Sequence, residues 1–330
     1  MKKILLIATG GTIASKSGDL GLKPDMGGSN LLEYVPEIQK ICNVDAVQIY
    51  NIDSTNVTPD HWVKLASTIQ ENYEKYDGFV VCHGTDTMAY TAAALSYMVQ
   101  HSPKPIVLTG SQKPIDKEDT DARINLRDSF LYATSDTAAD VVIVFQGKVI
   151  AGTRAKKIRT KSFNAFESMD FPVLAHIRDG RIIQYIKTEK AAAPEFYLTL
   201  DSRVGVLTLT PGLRAEVLDM FFRYNTAVVL SGYGTGGIPE GEYYGFYDVI
   251  QSWEGKGKTL VVTTQVQHEG SDMSVYQVGR GWKNRFDLLE GYNLTYEAIT
   301  TKLMWILGYT KDDDKIKELF YKNINYDLIG

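Results

Sequence analysis

Short apolar runs alternate with longer amphipathic stretches along most of this 330-residue chain. The run Ile4 to Ile7 is bounded and too short for a helix, which is typical of a strand buried on both faces of a parallel sheet. Similar runs predict strands at residues 44–52, 77–82, 105–108 and 140–145. Helical patterns predict helices at residues 31–41, 58–73, 88–99 and 121–133. This alternation favours an α/β fold with a mostly parallel sheet.

The pattern changes after Val173. Two short strands are predicted around Asp179-Gly180, a dipeptide typical of a hairpin turn. Residues 187–203 contain a proline and little periodicity, which favours a linker, and strands are predicted again at residues 204–209, 227–230 and 259–264. A chain of this length also exceeds the usual size of a single core. We therefore expect a larger N-terminal α/β domain with a doubly wound sheet (1–186), a linker (187–203) and a smaller C-terminal α/β domain (204–330).

Small hydroxyl residues follow four of the predicted N-terminal strands. The first strand runs into Thr9-Gly10-Gly11-Thr12, and the strand at residues 77–82 is followed by His83-Gly84-Thr85-Asp86-Thr87. The other two strands end in Asp53-Ser54-Thr55 and Thr109-Gly110-Ser111-Gln112. One such turn would most simply be a connection. Four of them at the carboxyl ends of strands favour a ligand site, because open α/β sheets bind ligands at that edge.

Composition and charge narrow the classes of function. A net charge of -5 without any block of Lys or Arg gives no support to nucleic-acid or membrane binding. The apolar core after Met1 is about half the length that a signal peptide requires, and no run approaches a membrane span. Cys42 and Cys82 lie near the ends of apolar elements, so we expect reduced core thiols in a cytoplasmic protein, with a reactive thiol as the alternative.

Metal and cofactor chemistry lack their usual motifs. The five histidines are scattered, and neither H-E-x-x-H nor a Cys/His ligand spacing occurs. Residues 232–237 match G-x-G-x-x-G, but Pro239 follows almost at once and the next strand ends without the acid that would hold a ribose. No G-x-S-x-G elbow occurs either. We therefore expect no metal and no cofactor, and hydroxyl nucleophilic catalysis remains.

These motifs resemble those of the bacterial-type L-asparaginases of the asparaginase/glutaminase family, in particular the cytoplasmic, type I-like members. The resemblance covers nearly the whole chain and rests on TGGTIA (9–14), DST (53–55), HGTDTM (83–88), TGSQ (109–112), TRAKK (153–157) and YGTGG (233–237). It implies an amidohydrolase with a catalytic N-terminal domain. The implied reaction is hydrolysis of L-asparagine to L-aspartate and ammonia.

The resemblance also implies roles for individual residues. Thr12 would attack the side-chain amide carbon and form an acyl-threonine intermediate, while backbone N–H groups of the glycine-rich turns would hold the oxyanion. Thr85, Asp86 and Lys157 match a hydrogen-bonded set that tunes proton transfer, with the adjacent Lys156 as an alternative lysine. The residues expected to bind substrate are Gly11, Asp53, Ser54, Thr55, Gly84, Ser111 and Glu269.

An amino-acid substrate needs partners for both of its charges. Asp86 is the first candidate for the α-ammonium group and Glu269 the second, while Ser54 is the candidate for the α-carboxylate. Glu269 lies where many relatives donate an acid from a neighbouring subunit. The resemblance therefore implies a homodimer or homotetramer whose site is completed across an interface.

The sequence departs from the family in two places. The strand end before Tyr233 lacks an arginine that is tied to allosteric control in some relatives, so we do not expect activation by asparagine. Leu22 stands where many asparaginases carry a tyrosine that helps the nucleophile lose its proton. Leu22 could close the loop as a lid while Lys157 alone activates the nucleophile. We favour replacement of the phenol by another tyrosine, with Tyr233, Tyr243 and Tyr244 as candidates.

Two other functions remain open. The first is an asparaginase-like chain of a tRNA-dependent amidotransferase, a relative that carries an extra N-terminal domain, whereas the first strand here begins at Lys2. The second is a non-catalytic amino-acid-binding or regulatory protein of the same fold. An ammonia assay with asparagine and glutamine separates these functions from an asparaginase.

Overall fold

The computed structural model describes residues 1–18, 21–24 and 27–329. The chain forms two compact units. The first contains residues 1–198 and a short later segment, residues 324–326, and the second contains residues 199–323 and the residues from 327 onward. Within the described residues, no helix combines the length and the apolar character needed to cross a membrane.

The first unit is built around strands, and four of the connections between its described strands contain an α-helix. Its strands are β1 (Lys3–Gly10), β2 (Ser15–Gly18), β3 (Gly21–Pro24), β4 (Asn43–Ile52), β5 (Gly78–Cys82), β6 (Val99–Gln100), β7 (Ile106–Thr109), β8 (Val141–Phe145), β9 (Lys148–Ala151), β10 (Ala155–Lys157), β11 (Phe166–Ser168), β12 (Ala175–Arg178), β13 (Arg181–Gln184) and β14 (Glu195–Phe196). Its α-helices are α1 (Gly28–Glu33), α2 (Pro59–Asn72), α3 (Met88–Met98) and α4 (Ala122–Ala133). Short 3-10 helices lie at Thr12–Ala14, Pro36–Lys40, Ser54–Asn56 and Tyr73–Lys75.

Eight of these strands form one sheet in the order β13-β12-β9-β8-β7-β5-β1-β4. The five from β8 to β4 are parallel to one another, and the remaining three extend the sheet in antiparallel fashion. Residues 4–10 of β1 and all of β5 are buried, as expected for central strands covered on both faces. The predicted mostly parallel sheet is confirmed.

Two hairpins account for most of the antiparallel extension. The turn between β12 and β13 is Asp179-Gly180, as predicted, and both residues have positive φ. The turn between β8 and β9 is Gln146-Gly147, again with two positive φ values, and it was not predicted. Two consecutive residues with positive φ match the twist of the flanking strands. A Gln-Gly pair is a weaker sequence signal of this turn than Asp-Gly.

The helix predicted at residues 31–41 is wrong as a single element. The structure has α1 ending at Glu33 and a separate 3-10 helix that begins at Pro36. Proline disfavours helical backbone at the preceding residue, so Val35 leaves the helical region and the chain must restart. By contrast, Pro59 opens α2 after the cap residue Thr58, as predicted.

The second unit has a smaller parallel sheet. Its strands are β15 (Val204–Thr208), β16 (Ala227–Gly232), β17 (Thr259–Thr264) and β18 (Leu289–Glu290), and they pair in that order. Its helices are α5 (Glu216–Tyr224), α6 (Phe246–Trp253), α7 (Gln277–Arg285), α8 (Tyr296–Tyr309) and α9 (Asp313–Tyr321). The fold class of two α/β units is therefore confirmed.

The two cysteines are core residues without a disulfide. Cys42 and Cys82 are both buried and free. Burial raises the pKa of the Cys42 thiol to about 11 and that of the Cys82 thiol to about 12. Both groups are thus protonated thiols at neutral pH, as predicted for core residues, and the alternative of a reactive thiolate finds no support.

Candidate active site

Four neighbouring parallel strands bring their carboxyl ends to one edge of the large sheet. These strands are β4, β1, β5 and β7, and the loops that follow them carry the predicted hydroxyl residues. Residue pairing near this edge joins Gly10 with Ile52 and Cys82 with Thr109. The four loops therefore begin at the same edge of the sheet, as the sequence pattern predicts.

Glycines let three of these loops pack against one another. Gly11 has a φ of +81°, and a Cβ atom placed on it would overlap the Cα and N atoms of Gly84. A Cβ atom on Gly84 would lie 2.6 Å from Ser54 Oγ. Thr12 and Thr85 each follow one of the two touching glycines in the chain, so this packing brings the backbones of their two loops into contact.

Thr12 lies on an anchored turn. Gly11 N donates to Ile52 O over 3.1 Å, and Ala14 N donates to Gly11 O over 3.2 Å. Ile13 and Ala14 are buried, whereas Thr12 is partly exposed. The turn therefore fixes the backbone of Thr12 without placing its side chain in the core.

Lys157 joins Thr85 and Asp86 in one hydrogen-bonded cluster. Its Nζ donates to Thr85 Oγ1 over 2.7 Å and to Asp86 Oδ1 over 2.6 Å. The Lys157 side chain is 15% exposed and the Asp86 side chain is 55% exposed. Lys157 is thus a largely buried amine rather than a surface charge. The Nζ atom that contacts Thr85 belongs to Lys157. The choice between Lys157 and Lys156 as the catalytic lysine stays a prediction.

Gln112 extends this cluster and was not among the predicted site residues. Thr85 Oγ1 donates to Gln112 Oε1 over 3.2 Å, so the threonine hydroxyl accepts from Lys157 and donates to Gln112. The amide of Gln112 donates in turn to Ser162 O over 3.1 Å. Its backbone N donates to the buried carboxylate of Asp121. The sequence signal was present in the TGSQ motif, but a long-range bond to Thr85 cannot be read from spacing.

Ser111 lies in the same loop as Gln112 and is buried. Its hydroxyl donates to Lys113 O over 2.5 Å. The structure thus gives the Ser111 side chain a partner within its own loop, and its predicted contact with substrate stays a prediction.

The Asp53-Ser54-Thr55 segment forms a capped turn beside the Gly84 loop. Asp53 Oδ1 accepts from both the backbone N and the hydroxyl of Thr55, each over 2.9 Å. Ser54 is buried, with 4% exposed, and its carbonyl accepts from Thr87 Oγ1 over 2.8 Å. The Asp53 carboxylate therefore caps a 3-10 helix, while Ser54 is held against the loop that carries Thr85 and Asp86.

Glu269 belongs to the second unit. It is exposed, its φ is +75°, and it lines a cavity of about 650 Å³ together with Ser271, Lys283 and Tyr292. Its predicted contact with substrate stays a prediction.

The loop after Thr12 is described in part. Leu22 pairs with Ser17 in the β2–β3 hairpin, and its side chain lies outside the described part of the structure, as do residues 19, 20, 25 and 26. Of the candidate replacements, Tyr233 is partly buried and Tyr243 is exposed. The choice between a lid and a replacement phenol therefore stays a prediction.

The glycine-rich segment of residues 232–237 forms a tight turn in the second unit. Tyr233 and Gly237 form an isolated bridge, and the next helix, α6, begins only at Phe246. A dinucleotide site needs the helix to begin directly at the glycine turn. Among the described residues, no group of three or more His, Cys, Asp or Glu side chains is placed to hold a metal ion.

Two family models match this chain. The model "Asparaginase, N-terminal" matches residues 3–190, and "Glutaminase/Asparaginase C-terminal domain" matches residues 203–320. An L-asparaginase from Thermococcus kodakarensis is 36% identical over 99% of both chains, and L-asparaginase 1 from Escherichia coli K12 is 32% identical over 99% of this chain and 98% of its own. A glutamyl-tRNA(Gln) amidotransferase chain of Metallosphaera sedula is 31% identical over 98% of this chain and 76% of its own length.

Solved structures agree with these matches. The thermostable L-asparaginase from Thermococcus kodakarensis superposes with a TM-score of 0.93 at 35% identity and covers 99% of both chains. The "Probable Cytoplasmic L-asparaginase" from Campylobacter jejuni superposes with a TM-score of 0.83 at 28% identity over 98% of this chain and 100% of its own.

Proposed function

This chain belongs to the asparaginase family, and we propose that it is an L-asparaginase that hydrolyses L-asparagine to L-aspartate and ammonia. The family resemblance seen in the sequence motifs is thereby confirmed. The observation that carries the proposal is the contact of Lys157 Nζ with Thr85 and Asp86. This cluster provides proton transfer beside the turn of a partly exposed threonine hydroxyl.

We propose Thr12 as the nucleophile. A threonine hydroxyl is weak at its free pKa and requires a proton acceptor. In the first step Thr12 Oγ1 bonds to the amide carbon, the electrons of the C=O bond move to the oxygen, and the proton of Thr12 passes through Thr85 Oγ1 to Lys157 Nζ, which takes part in this step as the neutral amine. The C–N bond then breaks, the same pair returns a proton to the nitrogen, and ammonia leaves. Water attacks the acyl-threonine ester next, which releases L-aspartate and restores the hydroxyl.

Backbone N–H groups of the glycine turns are proposed to hold the oxyanion, apart from the N–H of Gly11, which donates to Ile52 O. Gly10 and Gly11 both have positive φ, a backbone geometry that glycine adopts without strain. The rigid contact of Gly11 with Gly84 fixes the donors of two loops relative to each other. Fixed donors stabilise developing charge without reorganisation, and one donor is typically worth about 10²–10³-fold in kcat.

The charged ends of the substrate are proposed to bind Asp86 and Ser54. Asp86 Oδ1 accepts from Lys157, so we assign Oδ2 of this half-exposed carboxylate to the α-ammonium group. Ser54 Oγ, which faces Gly84, is assigned to the α-carboxylate. Glu269 is proposed to supply a second acid from a neighbouring copy of the chain. A homodimer or homotetramer follows, and a fully active monomer in sedimentation at assay concentration would contradict it.

The test is an ammonia assay on the purified chain with asparagine and with glutamine. Ammonia release from free asparagine is expected, and hydroxylamine should intercept the acyl-enzyme to give β-aspartyl hydroxamate. Thr12→Ala should abolish turnover and keep the fold, because it deletes only a hydroxyl and a methyl group at a partly exposed position. Thr12→Ser, which keeps a hydroxyl, is the matched control. Near-parental activity of Thr12→Ala would refute the mechanism.

A second candidate is a component of a tRNA-dependent amidotransferase. It is supported by the relative from Metallosphaera sedula, whose identity to this chain is close to that of the Escherichia coli asparaginase. Such a component should release ammonia only with a partner protein and a charged tRNA acceptor. Turnover of free asparagine by the chain alone excludes this candidate. Calorimetric binding of asparagine without turnover would instead indicate a non-catalytic binding protein.

A cytoplasmic location is proposed as well. It is supported by the Campylobacter jejuni relative, whose name includes that compartment. Fractionation of the native host, with an antibody against this chain, is the direct measurement.

A further inference from the structure

A buried chain of three polar side chains leads to the Gly84 carbonyl. Trp62 Nε1 donates to Thr91 Oγ1 over 2.9 Å, and Thr91 Oγ1 lies 3.0 Å from His83 Nε2. His83 Nδ1 lies 2.7 Å from Gly84 O. His83 is 1% exposed, and Thr91 and Trp62 are buried too. The chain links two helices, α2 and α3, to the loop that carries Thr85 and Asp86.

The hydrogen-bond partners fix the position of each proton that Trp62, Thr91 and His83 share. A carbonyl oxygen only accepts, so Nδ1 of His83 must carry the hydrogen that it shares with Gly84 O. Burial lowers the pKa of His83 to about 4, although the bond to Gly84 opposes this shift. The ring is therefore neutral at physiological pH, and its Nε2 is an acceptor. Thr91 must donate to Nε2 and accept from Trp62, whose indole nitrogen only donates.

The bond from His83 fixes one peptide plane of the active-site loop. Gly84 O belongs to the peptide unit that ends in the N–H of Thr85, and the two groups of a trans peptide point in opposite directions. The Thr85 N–H therefore points away from the buried His83 ring. The backbone of His83 is itself fixed, because His83 N donates to Thr109 O at the end of β7 over 2.8 Å. The imidazole thus bridges the rigid sheet and a peptide that neighbours Gly11.

We propose that His83, in its Nδ1–H tautomer, is a positioning residue that fixes the Gly84–Thr85 peptide plane for catalysis. The inference rests on the proposed function and deepens it. It assigns a task to a residue that touches neither substrate nor nucleophile. Thr91 and Trp62 hold the ring in this tautomer and orientation.

A fixed peptide plane acts on the transition state more than on the bound substrate. The Gly84 backbone fills the space beside Gly11, so a shift of the Gly84–Thr85 peptide toward Gly11 would displace the loop that carries Thr12. A displacement of about 1 Å near the reacting atoms can cost about 10²-fold in rate. Loss of the His83 bond should therefore reduce kcat while KM changes little.

The first measurement is the tautomer itself, by long-range ¹H–¹⁵N NMR on the whole protein with ¹⁵N-labelled histidine. The His83 signals are those that persist when each of the other histidines (His61, His101, His176, His268) is changed to glutamine. A pyrrole-type shift at Nδ1 and a pyridine-type shift at Nε2 at pH 6 are expected. An Nε2–H tautomer, or a protonated ring at that pH, would overturn the proposal.

The second measurement is kinetic and uses two amide variants. His83→Asn places its amide nitrogen near the position of Nδ1 and can still donate to Gly84 O, whereas His83→Gln places it near Nε2. We expect His83→Asn to keep kcat within tenfold of the parent and His83→Gln to lose about 10²-fold, with KM changing less than kcat in both. Equal losses in the two variants would contradict the proposal.

Thr91 offers a matched pair if the His83 variants do not fold. Thr91→Ser keeps the hydroxyl and should keep kcat, while Thr91→Val removes the donor to Nε2 and should lower kcat more than it changes KM. Equal kcat values in the two variants would contradict the proposal. If the parent protein shows the Nδ1–H tautomer but releases no ammonia, the proposed function is refuted. The proton positions assigned to His83 and Thr91 are then still correct.

Discussion

Gly11 and Gly84 touch through their backbones, so that the Cα and N atoms of Gly84 fill the space where a Cβ atom on Gly11 would lie. The contact joins the loops after β1 and β5, which carry Thr12 and Thr85. A shift of either loop toward the other would therefore make backbone atoms overlap. The two loops can approach this closely because neither glycine carries a side chain.

Gly11→Ala should abolish activity. The new methyl group overlaps backbone that cannot move aside, and the φ of +81° adds strain of about 1–2 kcal/mol. The matched control is Gly180→Ala, where φ is +68° and nothing lies within 4 Å of the new Cβ. Both variants carry the backbone strain, but only Gly11→Ala should lose kcat by more than about 10²-fold, as measured by ammonia release. Equal activity in the two would refute a role for the contact.

Lys157→Met should reduce kcat/KM by about 10²–10⁴-fold, because it removes the amine that bonds to Thr85 and Asp86. Methionine fills the same largely buried space, so the fold should persist in circular dichroism and thermal melts. Lys156→Met is the control, since successive side chains of β10 point to opposite faces. A larger loss at Lys156 than at Lys157 would refute the assignment.

Asp140→Asn should change how stability depends on pH. Burial raises the pKa of Asp140 from 3.8 to about 6, more than a hydrogen bond from the backbone of Ser102 lowers it. Between these two pH values the folded protein holds a proton that the unfolded chain has released. The contribution of Asp140 to the free energy of unfolding therefore falls as pH rises. The free energy of unfolding of the variant minus that of the parent should therefore be up to about 3 kcal/mol higher above pH 6 than at pH 4.

The measurement is urea unfolding of both proteins at pH 4, 5, 6 and 7. Asp179→Asn is the control, because Asp179 is an exposed aspartate with a similar positive φ. The difference between Asp140→Asn and its parent is compared with that of Asp179→Asn at each pH. A difference for Asp140→Asn that does not change from pH 4 to pH 7 would show that burial does not raise the pKa of the Asp140 carboxyl.

Activity should survive treatment with EDTA. The proposed mechanism uses hydroxyl, amine, carboxylate and backbone groups, and no step draws on a metal ion. The ammonia assay is repeated after dialysis against chelator. Loss of activity that a divalent ion restores would overturn this expectation.

The missing family phenol is tested by tyrosine variants. Tyr233→Phe, Tyr243→Phe and Tyr244→Phe each remove one hydroxyl, and the one that replaces the family tyrosine should lose about 10²–10⁴-fold in kcat. Leu22→Tyr is assayed beside them. Full kcat in all three phenylalanine variants would exclude these candidates, and a gain in Leu22→Tyr would then favour the lid.

The sequence predicted the strand ends of the site because each lies directly after an apolar run. Parallel strands place their carboxyl ends at one edge of the sheet, so the sequence alone could assign Thr12, Ser54 and Thr85 to the same edge. The family motifs then added Lys157. These predictions are local, or follow from a known family.

Other features depend on contacts that local patterns do not encode. The bond between Gln112 and Thr85 joins loops of different strands, and the chain from Trp62 to His83 crosses two helices. The single helix predicted at residues 31–41 failed because its apolar spacing hid the effect of Pro36. The periodicity of apolar residues predicts which face of a helix or strand is buried. It does not predict which residues, distant in the sequence, that face contacts.

Residues 324–326 return to the first unit after the chain has formed the second. Asn325 donates to Ser96 Oγ and Val141 O, and Tyr326 O accepts from the buried guanidinium of Arg154. During synthesis on the ribosome these partners emerge long before residues 324–326 do. A nascent chain arrested after residue 300 should thus be cut by protease within its first 198 residues more readily than the finished protein.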